Sequence, residues 1–103
     1  MSTMLTAATL VTGRTISRPG WIEVNRGRVQ ALGEGEPPRP PGEGDVVLGD
    51  VTVVPGFVDM HTHGGGGGAF PDATAESSQA AIAMHRAHGT TALIASLVSA
   101  HPD

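Results

Sequence analysis

Two histidines separated by one residue, His61 and His63, have the spacing in this sequence that points most directly to chemistry. Side chains at positions i and i+2 of a β-strand project from the same face, so both imidazoles point one way and Asp59 shares their face. Neutral imidazole nitrogens are ligands for zinc, iron and similar divalent ions. We therefore predict a metal role for His61 and His63; the alternative is a chance pair of histidines on a surface strand.

Five consecutive glycines, residues 64–68, follow this pair directly. Glycine lets the backbone turn sharply and approach a ligand with no side chain intervening. We predict that Gly64, Gly65 and Gly66 form a loop on the substrate side, at the carboxyl end of a strand, where parallel α/β enzymes place their chemistry. A Walker-type nucleotide loop is excluded, because that motif needs a lysine and every basic residue of this chain is an arginine.

A strand, a helix and a second strand are predicted around this motif. Residues 57–61 have the composition of a buried strand, and residues 90–99 that of a second, nearly continuous apolar strand. Between them Thr74 can cap a helix that Gly89 ends. Apolar strands joined by a helix are typical of a parallel sheet that is covered on both faces.

Two further histidines, His85 and His88, lie three residues apart near the end of the predicted helix. That spacing would let the two side chains meet on one helix face. The simpler interpretation is that His85 is solvated and that His88 caps the C-terminal end, near the negative pole of the helix dipole. Neither is predicted to bind metal.

The first half of the chain has the pattern of a small β unit. A strand is predicted within residues 4–12, followed by a hairpin with arms at 21–24 and 28–32 and a turn at Asn25–Gly27. The segment 33–44 is rich in proline, glycine and glutamate and is predicted to be a solvent loop.

The composition excludes several classes of protein. The net charge is −4 and the six basic residues are scattered, so no patch exists to neutralise nucleic-acid phosphates. The absence of cysteine excludes disulfides and thiolate metal ligands. No signal-peptide pattern and no apolar run of the ~18 residues typical of a membrane span is present. We therefore expect a cytoplasmic protein with no nucleic-acid or membrane partner.

The motifs above resemble the amidohydrolase superfamily. The run "VVPGFVDMHTHG" is similar to the passage from its small β-sandwich into its metal-dependent (β/α)8 barrel. Within the superfamily, "PGFVDMHTHGGGGGAF" and "AIAMHRAHGTTALIASLVSA" resemble the N-acetylglucosamine-6-phosphate deacetylase family. The resemblance implies an α/β fold, incomplete in this chain: part of the β-sandwich domain over residues 1–54, then the first β-α-β of the barrel over 55–103.

The resemblance also implies a reaction, hydrolysis of the acetamide of N-acetylglucosamine 6-phosphate to glucosamine 6-phosphate and acetate. His61 and His63 match the family's metal ligands at the end of the first barrel strand, for one or two divalent ions, with zinc or iron favoured. Asp59 is expected to orient one of these histidines. In the family, a Glu, two further His and an Asp base come from later strands, so no catalytic residue is expected in this chain and the chain alone is expected to be inactive.

Two alternatives stay open at this point. The complete protein could be another metal-dependent amidohydrolase that acts on a cyclic amide or a nucleobase. The chain could also be a non-catalytic metal-binding or assembly fragment. The family commonly dimerises, so the resemblance implies a homodimer for the complete protein, with an amino-sugar phosphate as its small-molecule partner.

Overall fold

A computed structural model describes residues 1–102 and divides the chain into two compact units, residues 1–55 and the residues from 56 onward. The first unit holds seven strands: β1 Thr3–Ala7, β2 Thr9–Val11, β3 Ile16–Ser17, β4 Gly20–Asn25, β5 Arg28–Glu34, β6 Val46–Val47 and β7 Thr52–Val53. The second unit holds β8 Phe57–Thr62, β9 Gly64–Gly65, β10 Gly68–Ala69, a 3-10 turn Phe70–Asp72, helix α1 Ala75–Ala87 and β11 Thr90–Ala95.

The first unit is built from two small sheets. One has the order β5-β4-β1-β6, with β6 parallel to β1 and the other pairs antiparallel; the second has the order β3-β2-β7. Met4, Ala7 and Leu10 form its buried core. The predicted hairpin is confirmed, because β4 and β5 pair across a turn at Arg26 and Gly27 with φ of 51° and 72°.

Asp45 ties the proline-rich segment of this unit to strand β1. Its carboxylate accepts hydrogen bonds from the backbone N–H of Met4 at 2.7 Å and of Gly42 at 2.8 Å, and it is paired with the guanidinium of Arg39. These contacts, with Arg39 the largest, hold the pKa of Asp45 well below its usual range. The segment predicted as a solvent loop is thus tethered at one carboxylate.

The second unit begins with a strand-helix-strand arrangement. Strand β11 pairs with β8 in parallel, with α1 between them in sequence. The Oγ1 of Thr74 accepts from the backbone N–H of Ser77 at 3.2 Å, so the predicted N-cap is confirmed. At the other end the His88 Nδ1 donates to the carbonyl of Met84 at 2.8 Å, which confirms its capping role.

The burial predicted for strand β8 was wrong over most of its length. Phe57, Val58 and Met60 are 58%, 69% and 75% exposed, and only Thr62 at the end of the strand is buried. The reason is that β8 and β11 form a sheet of two strands, while α1 packs its buried Ala81 side near the glycine hairpin that follows β8. Only the carboxyl end of β8 is therefore covered. Among residues 1–102, no helix is both long and apolar enough to cross a bilayer.

Candidate metal centre

His61 and His63 converge at the carboxyl end of β8. Their Nε2 atoms lie 3.0 Å apart, and the rings meet edge to face with centroids separated by 4.8 Å. Two nitrogens bound tetrahedrally to one zinc ion at ~2.05 Å would be separated by roughly 3.3 Å. A small opening of the pair therefore fits one divalent ion. Both side chains are exposed, so the space in front of them is accessible.

Ser96, the residue that follows β11, holds both rings from behind. The carbonyl of Ser96 lies 3.0 Å from the His63 Nδ1, and its hydroxyl lies 3.3 Å from the His61 Nδ1. The backbone N–H of Ser96 donates to the carbonyl of Thr62 at 2.8 Å, which fixes it to the end of β8. Sequence reasoning missed this residue. The signal that could have found it is its place at the carboxyl end of the adjacent parallel strand, the edge where such sheets gather their functional groups.

Asp59 is half-buried and lies two residues before His61 on the strand. Its Oδ1 accepts a hydrogen bond from the backbone N–H of His61 at 3.1 Å. The carboxylate therefore holds the main chain of a histidine, whereas the ring contacts come from Ser96. The predicted role of Asp59 in orienting a metal-binding histidine stays a prediction.

The glycine run folds into a two-stranded hairpin. β9 and β10 pair antiparallel, and the turn between them places Gly66 and Gly67 at φ of 59° and 87°, values that favour glycine. A Cβ added to Gly65 would collide with Met84, and one added to Gly68 would collide with the backbone of Ser77. The close approach of α1 thus gives a structural reason for several of these glycines. The substrate-side role of Gly64, Gly65 and Gly66 stays a prediction.

His85 is not solvated, and the expectation that it would be was wrong. It is half-buried, and its Nε2 donates to the carbonyl of Gly64 at 2.9 Å, with the hydroxyl of Thr62 at 3.3 Å. The reason is that His85 lies one helical turn after the buried Ala81, on the side of α1 that faces the glycine hairpin. His85 therefore fixes the residue that follows the histidine pair.

The described residues do not form a complete metal site by themselves. Within residues 1–102, no group of three or more His, Asp or Glu side chains is placed to hold an ion. A structural or catalytic zinc site uses at least three protein ligands. Two imidazoles from this chain would therefore act with ligands from elsewhere.

No family model matches the chain. It is 24% identical over 90 residues to an N-acetylglucosamine-6-phosphate deacetylase of Bacillus subtilis, which covers 87% of this chain and 23% of that protein. The fold of this chain is similar to that of the N-acetyl-D-glucosamine-6-phosphate deacetylase of Mycobacterium smegmatis, in a mutant complexed with N-acetyl-D-glucosamine-6-phosphate. The sequence identity is 54% and the TM-score 0.89, over 96% of this chain and 25% of that one.

A crystal structure of the Mycobacterium smegmatis deacetylase matches equally, at 54% identity and a TM-score of 0.88, over 95% of this chain and 27% of that chain. The chain thus spans about a quarter of the length of the proteins it matches. The resemblance to N-acetylglucosamine-6-phosphate deacetylases is confirmed, and an N-terminal fragment of such an enzyme fits these findings.

Proposed function

We propose that this chain is part of a complete protein that hydrolyses the acetamide of N-acetylglucosamine 6-phosphate to glucosamine 6-phosphate and acetate. The observation that carries the proposal is the convergence of the His61 and His63 Nε2 atoms, 3.0 Å apart, at the end of a parallel strand. The similarity to deacetylases supports the choice of substrate. In this proposal β8, α1 and β11 are the first β-α-β of a (β/α)8 barrel, and the first unit belongs to a β-sandwich domain.

In this proposal His61 and His63 bind one or two divalent ions, with zinc or iron favoured by the nitrogen donors. An ion held by His61 and His63 would supply Lewis-acid chemistry, which favours attack of water on the acetamide carbonyl near neutral pH. The residues of this chain contribute the nitrogen lone pairs and the orientation of the rings. The glycine hairpin leaves the same edge of the sheet free of long side chains.

We propose further that the 103-residue chain is inactive by itself. The described residues bring two imidazoles together without a third acidic or histidine ligand, and the family's general base, an Asp from the last barrel strand, would come from later residues. We also propose that the complete protein is a cytoplasmic homodimer with no nucleic-acid or membrane partner. For these 103 residues, the net charge of −4 supports the absence of a nucleic-acid partner.

The test is acetate release from N-acetylglucosamine 6-phosphate by the full-length protein, with metal content measured on the same samples. We expect turnover by the wild type and its loss, together with bound metal, in His61→Ala and His63→Ala. His101→Ala, an exposed histidine away from the pair in sequence, is the matched control and should behave as the wild type.

Three outcomes would each contradict a part of the proposal. Turnover of a cyclic amide or nucleobase without turnover of the sugar phosphate would support the alternative hypothesis of a different amidohydrolase. Full activity in both His61→Ala and His63→Ala would show that these histidines are not the metal ligands of the reaction. Turnover by the 103-residue chain alone would refute the proposal that it is inactive.

A further inference from the structure

Ser96 contacts both histidines of the pair through different atoms. Its carbonyl oxygen accepts from one ring, and its hydroxyl faces the other ring. Its backbone N–H is bonded to the carbonyl of Thr62 at 2.8 Å, so it is anchored between the two histidines along the strand. A single residue thus contacts the Nδ1 of each imidazole.

The carbonyl of Ser96 fixes the tautomer of His63. A carbonyl only accepts hydrogen bonds, so the neutral His63 ring carries its proton on Nδ1, which donates across 3.0 Å. The His63 Nε2 then presents a lone pair towards His61. This is the tautomer that a metal ligand needs when it coordinates through Nε2.

The hydroxyl of Ser96 leaves His61 two alternatives. The Oγ lies 3.3 Å from the carbonyl of Ile94 and 3.3 Å from the His61 Nδ1. When the hydroxyl donates to His61 Nδ1, the proton of that ring is on Nε2 and donates to His63 Nε2 across 3.0 Å. When the hydroxyl donates to Ile94, its oxygen accepts from His61 Nδ1–H, and both Nε2 atoms present lone pairs to each other.

The second arrangement is unfavourable without a cation, because two lone pairs 3.0 Å apart repel. With a divalent ion between them it is the arrangement of two ligands. We propose that Ser96 is a positioning residue for metal binding: its carbonyl fixes the tautomer of His63, and its hydroxyl keeps a hydrogen bond to the His61 Nδ1 both with and without metal. The inference rests on the proposed metal role of His61 and His63.

The change conserves protons within the pair. As metal binds, His61 loses the proton on Nε2 to solvent and gains one from solvent on Nδ1, and the Ser96 hydroxyl hydrogen turns from His61 Nδ1 to the carbonyl of Ile94. No net proton is released, and each nitrogen keeps a partner in both states. A side chain without a hydroxyl at this position leaves the His61 Nδ1 without its partner in both states.

The test uses the full-length protein, with zinc affinity measured by competition with a chromophoric chelator. Removing a partner of a metal-binding histidine typically weakens metal affinity by roughly 10- to 100-fold. We expect that loss in Ser96→Ala and in Ser96→Val, and recovery in Ser96→Thr, which differs from valine by carrying the hydroxyl. Ser99→Ala, an exposed serine nearby in sequence, should bind zinc as the wild type does.

A second readout separates positioning from general structural damage. With 15N-labelled histidine, the ring shifts of His61 should report an Nε2–H tautomer without metal and an Nδ1–H tautomer with zinc, whereas His63 should be Nδ1–H in both. In Ser96→Val the metal-free His61 should keep the Nε2–H tautomer, because its bond to the His63 Nε2 sets that preference, while thermal unfolding matches that of Ser96→Thr. Equal zinc affinity in the Thr and Val variants, or an unchanged His61 tautomer on metal binding, would overturn the inference.

These readouts do not depend on the substrate. A wild-type protein that binds zinc with the expected tautomer change but does not release acetate would refute the proposed deacetylase reaction alone. A wild-type protein that releases acetate while Ser96→Val retains full zinc affinity would refute the role of Ser96 alone.

Discussion

The packing of the glycine hairpin against α1 predicts a specific cost for one methyl group at Gly68. Gly68 is buried, and a Cβ at this position would collide with the backbone carbonyl of Ser77 in the first turn of the helix. Because the obstacle is backbone and not the end of a flexible side chain, either the hairpin or the helix must move. Overpacking of this kind costs about 1–3 kcal/mol, and we expect Gly68→Ala to fall in the upper part of that range.

The assay is urea and thermal unfolding followed by circular dichroism at 222 nm, a signal of the α-helix that packs on the hairpin. For a chain of this size, each kcal/mol corresponds to a fall of roughly 4–8 °C in the unfolding midpoint. Gly13→Ala is the matched control, since a Cβ there meets nothing within 4 Å. Gly67→Ala also meets open space but has a φ of 87°, so it isolates the backbone cost of about 1–2 kcal/mol. Equal midpoints for Gly68→Ala and Gly13→Ala would refute the packing argument.

Three further perturbations test other contacts. Asp45→Asn should lower the urea midpoint of the first unit, measured by Trp21 fluorescence. Folding lowers the pKa of Asp45, so its carboxylate stabilises the folded state above the ordinary pKa of 3.8, and this stabilisation is lost as the pH falls below that value. The variant should therefore lose less stability in acid than the wild type. His85→Ala should destabilise the second unit by about 1 kcal/mol, because the carbonyl of Gly64 loses one of its two donors and keeps only the hydroxyl of Thr62; an unchanged midpoint would contradict this. Asp59→Asn in the full-length protein should weaken metal retention, because an amide oxygen holds the His61 N–H less strongly than a carboxylate; metal content and rate equal to the wild type would sink that role.

Local sequence signals predicted the elements whose ends are decided by neighbouring residues. The hairpin turn at Asn25–Gly27 and the helix between Thr74 and Gly89 depend on turn and cap chemistry within a few positions, and the structure confirms both. The parallel relation of β8 to β11 also followed from the strand-helix-strand order. These features need no knowledge of long-range pairing.

The features that sequence reasoning missed depend on contacts between distant residues. No local signal shows that Ser96 contacts two histidines more than 30 positions earlier in the chain. That contact depends on the register of β8 against β11. His85 was misjudged for the same reason, since its partner is a carbonyl in the glycine hairpin. The burial of β8 was overestimated because an apolar strand pattern does not reveal how many neighbours cover the strand.

The positions of the two imidazoles are determined within a single strand-helix-strand segment. Asp59 holds the backbone of His61, Ser96 holds both rings, and His85 holds the residue that follows His63. These restraints all come from residues 59–96. Metal ligands supplied from elsewhere would add bonds to the metal, but they are not needed to orient the two histidines. Substitutions of more distant ligands should therefore lower metal affinity and leave the metal-free tautomers of this pair unchanged.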